Sequence, residues 1–306
     1  MQRLAGFDPS GPFAYMEKII NEYLEWKGTY AKRASINYRI WLDRFIIVCG
    51  NKPLSEYTVS DIVKYKLWLE SRFGPYTVQF ATIVIKNFLQ YCRTNNYPCL
   101  SPTFIRLSRV NAKSHRAVTE EEYQRIISEI PQNTFGNIRD LLIVHLLWNT
   151  GVRVSELCDL DLSQIDEHKH LAIIQTKKTG KQRSIVWSEE THKLLIKYMK
   201  TRLEVASTHP TNALFVGFRK GSGWASRLTS RSVERIIKFY VRKADIKEKI
   251  TPHSFRHGWA HKRRDQNAPL AFIQRGLGHL NPVSTFIYEQ YSDREFERNA
   301  EQYLCG

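Results

Sequence analysis

The sequence predicts a mainly α-helical protein of two domains, the second an α+β unit with one small antiparallel sheet. Three observations carry that class. Apolar residues recur at helical spacing along most of the chain. Two β-branched runs flank a short stretch rich in lysine with one glycine. A basic segment bearing prolines and serines, residues 98–116, has no period at all. With 306 residues, 42% of them hydrophobic, the chain is long enough for two cores and ordinary in composition for a globular fold.

Residues 13–26 place Tyr15, Ile19, Ile20, Tyr23 and Leu24 on one helical stripe. Residues 35–49 do the same with Ile36, Ile40, Trp41, Phe45 and Val48, and Gly50 is their stop. Thr58 is a predicted N-cap for a helix continuing through Ile62, Tyr65, Trp68 and Leu69. Residues 76–91 supply a fourth helix. Basic residues lie between the stripes (Lys32, Arg33, Arg39, Lys64, Lys66, Lys86), and for any one of them a solvated surface is the simplest reading. The segment from Pro98, with Arg109 and Lys113 in it, reads as a linker, which sets the domains at 1–112 and 113–306.

The second domain opens with Thr119-Glu120-Glu121-Glu122, a capping box. A helix over 137–148 stops at Asn149-Thr150-Gly151, where glycine can take the left-handed conformation. Arg153 follows, and Val154-Ser155-Glu156-Leu157 starts a short helix. The runs 171–176 and 183–187 read as a hairpin closed by Lys177-Lys178-Thr179-Gly180-Lys181. Helices are expected over 189–205, 230–244, 253–264 and 270–277. Asn281-Pro282 begins another, which carries Tyr288 at an end where its side chain can reach outwards. Ser292-Asp293-Arg294-Glu295 caps a tail helix that packs on its own domain or on a neighbouring subunit.

The five cysteines are odd in number and scattered, with no metal-ligand spacing, so neither a disulfide framework nor a zinc site is expected. The longest apolar run, 141–148, is far too short to span a bilayer, and residues 1–16 lack a signal-peptide core. The expected location is the cytoplasm. A formal charge of +16, spread over both halves, attracts polyanions, of which nucleic acid is the commonest there. Charge alone also fits a ribosome-associated or anionic-lipid-binding protein.

The residues with chemical potential cluster late. In Thr251-Pro252-His253-Ser254-Phe255-Arg256-His257, Arg256 and His257 lie three and four residues after His253 and share a helix face with it. Arg256 can grip a phosphate through its planar fork while His253 supplies a hydrogen bond or a proton. Leu277-Gly278-His279 ends the next helix, and Tyr288 stands nine residues after His279. A tyrosine met at random is more often core filling than a nucleophile.

Taken in order, Thr150-Gly151-Val152-Arg153-Val154-Ser155-Glu156-Leu157, the lysine hairpin, His253-x-x-Arg256-His257, Leu277-Gly278-His279 and Tyr288 resemble the tyrosine recombinase (phage integrase) family. By size the chain is similar to its Xer and simple-integrase members. The resemblance implies an N-terminal four-helix core-binding domain and a C-terminal catalytic domain. It further implies that Arg153 and Arg256 bind the scissile phosphate, with Lys178 as general acid on the leaving oxygen. Lys177 is the alternative to Lys178, as Tyr291 is to Tyr288. His253 and His279 would complete the pocket, Glu156 would brace it with His257 in support, and Tyr288 would be the nucleophile. Contacts to double-stranded DNA would come from Lys32, Arg33, Arg39, Lys86, Arg109, Lys113 and Lys181. The implied assembly is a tetramer on an inverted-repeat-like site, with room for accessory recombination factors.

The chemistry is coherent without the name. Attack of an anion on an anionic phosphodiester needs cations aimed at the developing charge, and arginines supply it permanently. The same cations are expected to lower the tyrosine pKa. Exchanging one phosphoester for another roughly conserves bond energy, so neither ATP nor a metal cofactor is required. Two rival readings share parts of the pattern. A catalytically silent DNA-binding protein of this fold would have lost at least one of these residues, and a type IB topoisomerase would act without a specific site. One departure stands out: where the family continues with leucines, this chain reads His261-Lys262-Arg263-Arg264-Asp265-Gln266, an extra charged face or simply a solvated one.

Overall fold

The first helix, α1 (Pro12–Cys49), runs unbroken through both segments expected to be separate. The join contains no proline and a single glycine, Gly28, which weakens a helix by only about 1 kcal/mol. Burial of Met16, Ile19, Ile20 and Tyr23 before it, and of Tyr38, Leu42 and Phe45 after it, outweighs that loss. This computed structural model describes residues 12–108, 110, 116–175, 180, 182–205, 211–219, 223–279, 281, 283–286 and 288. The chain divides into two units, Met1–Lys113 and Ser114–Gly306.

In the first unit α1 packs against α2 (Val59–Glu70) and α3 (Pro75–Thr94). The four expected helices are thus three among the described residues. Thr58 starts α2 as expected, its N–H donating to the Asp61 carboxylate at 2.8 Å. The core is aromatic: Tyr23 lies against Phe88 and Tyr91, and Phe45 against Tyr57 and Tyr65. Pro102 and Ile105, inside the stretch read as linker, are buried in this unit.

The second unit is built around α5 (Phe135–Thr150), which is buried on all sides from Ile138 to Trp148. A helix buried all round belongs in a core, and its buried Arg139 and Asp140 pair with each other at 2.7 Å. It packs on α4 (Glu120–Ser128), α7 (Glu189–Val205), α8 (Ser230–Lys243) and α9 (Pro252–Asp265). Thr119 and Glu122 form the expected capping box, with bonds of 3.1 and 3.2 Å. After α5 come the short α6 (Val154–Asp159) and the strands β1 (Ile165–Asp166), β2 (Leu171–Gln175) and β3 (Gln182–Val186), antiparallel in that order.

A second hairpin, β4 (Val216–Arg219) with β5 (Gly223–Arg227), was not expected. Its strands are four and five residues long, and the register shifts between Gly217 and Phe218. Val216 is the one β-branched residue in these two strands, so the pair lacks the β-branched runs that mark β2 and β3. The chain continues into α10 (Leu270–Leu277) and the single turn α11 (Val283–Phe286). No helix among the described residues is long and apolar enough to cross a membrane.

Candidate active site

The site starts where α5 ends. Gly151 takes the left-handed conformation (φ 59°), and the Trp259 ring lies 3.0 Å from the point a β-carbon would occupy. Only glycine both turns there and leaves room for the ring. The chain then extends, and Arg153 becomes the N-cap residue of α6. Glu156 reaches back to it: Arg153 N–H donates to Oε2 at 3.0 Å and Arg153 Nη1 to Oε1 at 3.0 Å. Glu156 is buried, whereas the Arg153 side chain is 31% exposed.

Arg256 comes from the first turns of α9 and is 5% exposed. Its Nη1 donates to the Gly151 carbonyl at 2.8 Å and its Nη2 to the Leu277 carbonyl at 2.6 Å. Those bonds tie the end of α5 to the end of α10. Gly278, again left-handed (φ 62°), closes α10 and turns out His279. The His279 Nδ1 lies 2.8 Å from Thr285 Oγ1, and the Thr285 carbonyl accepts the Tyr288 N–H at 3.0 Å. One buried threonine therefore holds both His279 and Tyr288.

Tyr288 does not point outwards as expected. It is 2% exposed in a small cluster with Trp259, Ala260, Ile273 and Leu277. Its hydroxyl lies 2.7 Å from His257 Nδ1, and the His261 ring meets its edge. The contacts that hold it come from α9. Its backbone is held there too, the Tyr288 carbonyl accepting from Arg264 Nη1 of α9 at 3.5 Å.

A third arginine, absent from the expected set, completes the pocket. Arg183 faces inwards from β3, its Nη2 donating to Glu156 Oε2 at 2.7 Å and its Nη1 to the Gly276 carbonyl at 2.7 Å. Its signal was legible in retrospect: a cation two residues before buried Ile185 occupies an inward strand position.

The electrostatics follow from this crowding. Three guanidinium groups surround one carboxylate, a surplus of two positive charges among the described residues. Burial, with Arg153 and Arg183 nearby, pushes Arg256 down to about 9, so it stays cationic at neutral pH. Burial and the same three arginines push His279 down to about 4, leaving a neutral imidazole. For Tyr288 the expected lowering is outweighed: burial raises its phenol, and Arg256 pulls the other way less strongly.

The other expected residues separate clearly. His253 is exposed, on the rim of a cleft also lined by Lys238, Arg242, Lys247 and Lys249. Lys177, Lys178, Lys181, Arg109, Lys113, Tyr291 and the tail helix lie outside the described residues, as do the side chains of Lys32 and Arg33. Arg39 is bound to Glu17, Asn21 and Asp43, and Lys86 reaches the Ile105 carbonyl at 3.4 Å. The unusual run after His257 turns inwards in part: Lys262 bonds Glu120 and covers the Trp148 ring, and Arg263 covers Trp259. By contrast α8 carries exposed Arg231, Arg235, Lys238 and Arg242 along one side, a stripe absent from the expected DNA contacts. No group of three His, Cys, Asp or Glu that could hold a metal occurs among the described residues.

Known proteins identify the family. Residues 116–295 match the phage integrase family. The chain is 29% identical over 282 residues to tyrosine recombinase XerA of Pyrococcus furiosus, covering 92% of this chain and 91% of that protein. It is also 29% identical over 270 residues to tyrosine recombinase XerC of Myxococcus xanthus, covering 86% and 88%. A crystal structure of XerA recombinase superposes with a TM-score of 0.53 at 27% identity, over 94% of this chain and 98% of that one. XerH bound to palindromic difH substrate shares the fold, with a TM-score of 0.74 at 18% identity over 93% and 84%. The chain belongs to the phage integrase family, as a tyrosine recombinase of the Xer-like type.

Proposed function

We propose that this protein is a site-specific DNA recombinase that cuts and rejoins strands through a 3′-phosphotyrosyl intermediate on Tyr288. The observation that carries the reading is the surplus of two positive charges held around Glu156, beside a tyrosine within the field of Arg256. A phosphodiester brings one negative charge, and attack by a phenolate adds a second, so the surplus matches the transition state. Arg153 and Arg256 bind the non-bridging oxygens. Neutral His279 hydrogen-bonds one of them, and when Thr285 donates to its Nδ1, the proton is kept on Nε2. His253 completes the pocket from the rim, and Lys178 protonates the departing 5′ oxygen.

Tyr288 is held by His257 before substrate arrives, so attack requires the segment after α10 to turn its hydroxyl towards the phosphate. His257, as the acceptor nearest that hydroxyl, takes its proton. Double-stranded DNA in the cytoplasm is the substrate. The α8 stripe and the lysines beside His253 hold its backbone. Four protomers bring two sites together and exchange strands through a Holliday junction, without metal or ATP. The palindromic substrate of XerH supports a site with inverted symmetry.

Selection of random and genomic DNA on Tyr288→Phe protein should yield one such site. A suicide duplex nicked near its cleavage point should then trap a covalent adduct with wild type and none with Tyr288→Phe. An adduct of equal yield from Tyr288→Phe would sink the mechanism. Relaxation of plasmids lacking the site would favour topoisomerase action instead.

A further inference from the structure

We propose that Arg183 is a positioning residue of this site, setting Arg153 through Glu156 and the His279 turn through the end of α10. The inference rests on the recombinase reading above. Its basis is the forked contact: one guanidinium donates to Glu156 Oε2 and to the Gly276 carbonyl, each at 2.7 Å. Glu156 in turn holds both the backbone and the side chain of Arg153. Gly276 lies three residues before His279, in the last turn of α10. A single side chain from β3 therefore joins the two elements that carry Arg153 and His279.

The fit at Gly278 points the same way. A β-carbon there would lie 2.6 Å from Arg183 Nε and 3.0 Å from its Cδ. The guanidinium thus lies directly under the turn that presents His279, filling the space another side chain would need. The Nε is buried and has no hydrogen-bond partner among the described residues.

Two other roles fit less well. Arg183 is not a phosphate ligand, because its side chain is only 7% exposed and both terminal nitrogens already donate inwards. Nor does it resemble the core braces of this unit. Arg202 donates to the backbone carbonyls of Thr211, Ala213 and Leu214, and Arg139 to Asp140 and Val216, none of them a candidate site residue. Lysine in place of Arg183 keeps the charge but lacks the planar fork that reaches both acceptors.

The test compares Arg183→Lys, Arg183→Met, Glu156→Gln and the Arg183→Met/Glu156→Gln double variant with wild type and Tyr288→Phe. Single-turnover adduct formation on the nicked suicide duplex is read alongside duplex affinity and melting temperature. Arg183→Lys should melt within a few degrees of wild type and bind DNA within about threefold of it, yet cleave about 30- to 100-fold more slowly. The losses of Arg183→Met and Glu156→Gln should overlap, so the double variant cleaves within about threefold of the slower single one.

An Arg183→Lys rate within about threefold of wild type overturns the inference. So does a double variant whose loss is the product of the two single losses, or a loss of affinity as large as the loss of rate. Should Arg183→Met fail to fold, Arg183→Lys decides alone. Wild type that forms no adduct sinks the recombinase reading itself, whereas wild type that cleaves no faster than Arg183→Lys sinks only the role of Arg183.

Discussion

Replacing Arg256 with methionine separates what this residue does for chemistry from what it does for the fold. Its fall from the ordinary arginine range to about 9 corresponds to about 5 kcal/mol of surroundings hostile to the charged form. Most of that is burial, and Arg153 and Arg183 add repulsion. Against it stand the two bonds to the Gly151 and Leu277 carbonyls, worth about 1.5–3 kcal/mol each for a charged donor. The two sides nearly cancel, and methionine fills much of the same volume.

Arg256→Met should therefore change stability by no more than about 2 kcal/mol in either direction, where breaking an ordinary buried charge pair takes about 3–5. Calorimetry would show a melting shift of at most about 4–8 °C, since 1 kcal/mol moves Tm by about 2–4 °C in domains of roughly this size. Suicide-substrate cleavage should fall on the order of a thousandfold. The pH dependence has a definite sign. The folded value is the lower one, so the unfolded chain binds the proton more tightly, and the penalty is full below about 9 and fades above it. Any stability advantage of the variant should thus shrink as pH rises through 9. A loss of more than about 3 kcal/mol at neutral pH would refute the reasoning and make Arg256 a structural brace first.

Further outcomes follow from the same contacts. Gly258→Ala would put a β-carbon 2.5 Å from the Val118 carbonyl oxygen and 2.9 Å from the Trp148 ring, so thermal melting should show a loss of about 1–3 kcal/mol. For His279, pushed down to about 4, the contribution of the neutral ring to stability is complete above its unfolded value near 6.5 and declines as pH falls from there towards 4. His279→Gln should flatten that part of an acid-melting profile; an unchanged profile would refute the assignment. Lys262→Ala, which loses Glu120 and the Trp148 ring, should destabilise by at most about 1 kcal/mol and leave the salt dependence of DNA binding unchanged. Arg235→Ala on α8 should reduce that salt slope by about 1, and equal slopes for both variants would remove α8 from the interface.

Much of the architecture was legible because it is locally encoded. Capping at Thr58 and Thr119, the stops at Gly151 and Gly278 and the apolar period of α10 depend on neighbours within a few residues. The order and spacing of Arg153, His253, Arg256, His279 and Tyr288 were likewise in the chain to be read. Continuity was harder. The join in α1 gives no positive signal for helix and is carried by burial on either side. The β4–β5 pair lacks the β-branched residues that announce β2 and β3.

What only the tertiary structure decided is the state of the site's groups. No spacing shows that Arg183 and Arg153 share one carboxylate, because their contact closes a loop of many residues through a strand pair. Nor does it show that Tyr288 is folded in upon His257, or that Lys262 bonds Glu120 far away in sequence. Charge and hydrogen bonding act through space, and burial sets their strength. Residue types and their order determined which chemistry this chain can perform. Distances and desolvation decided which groups are charged and which are held.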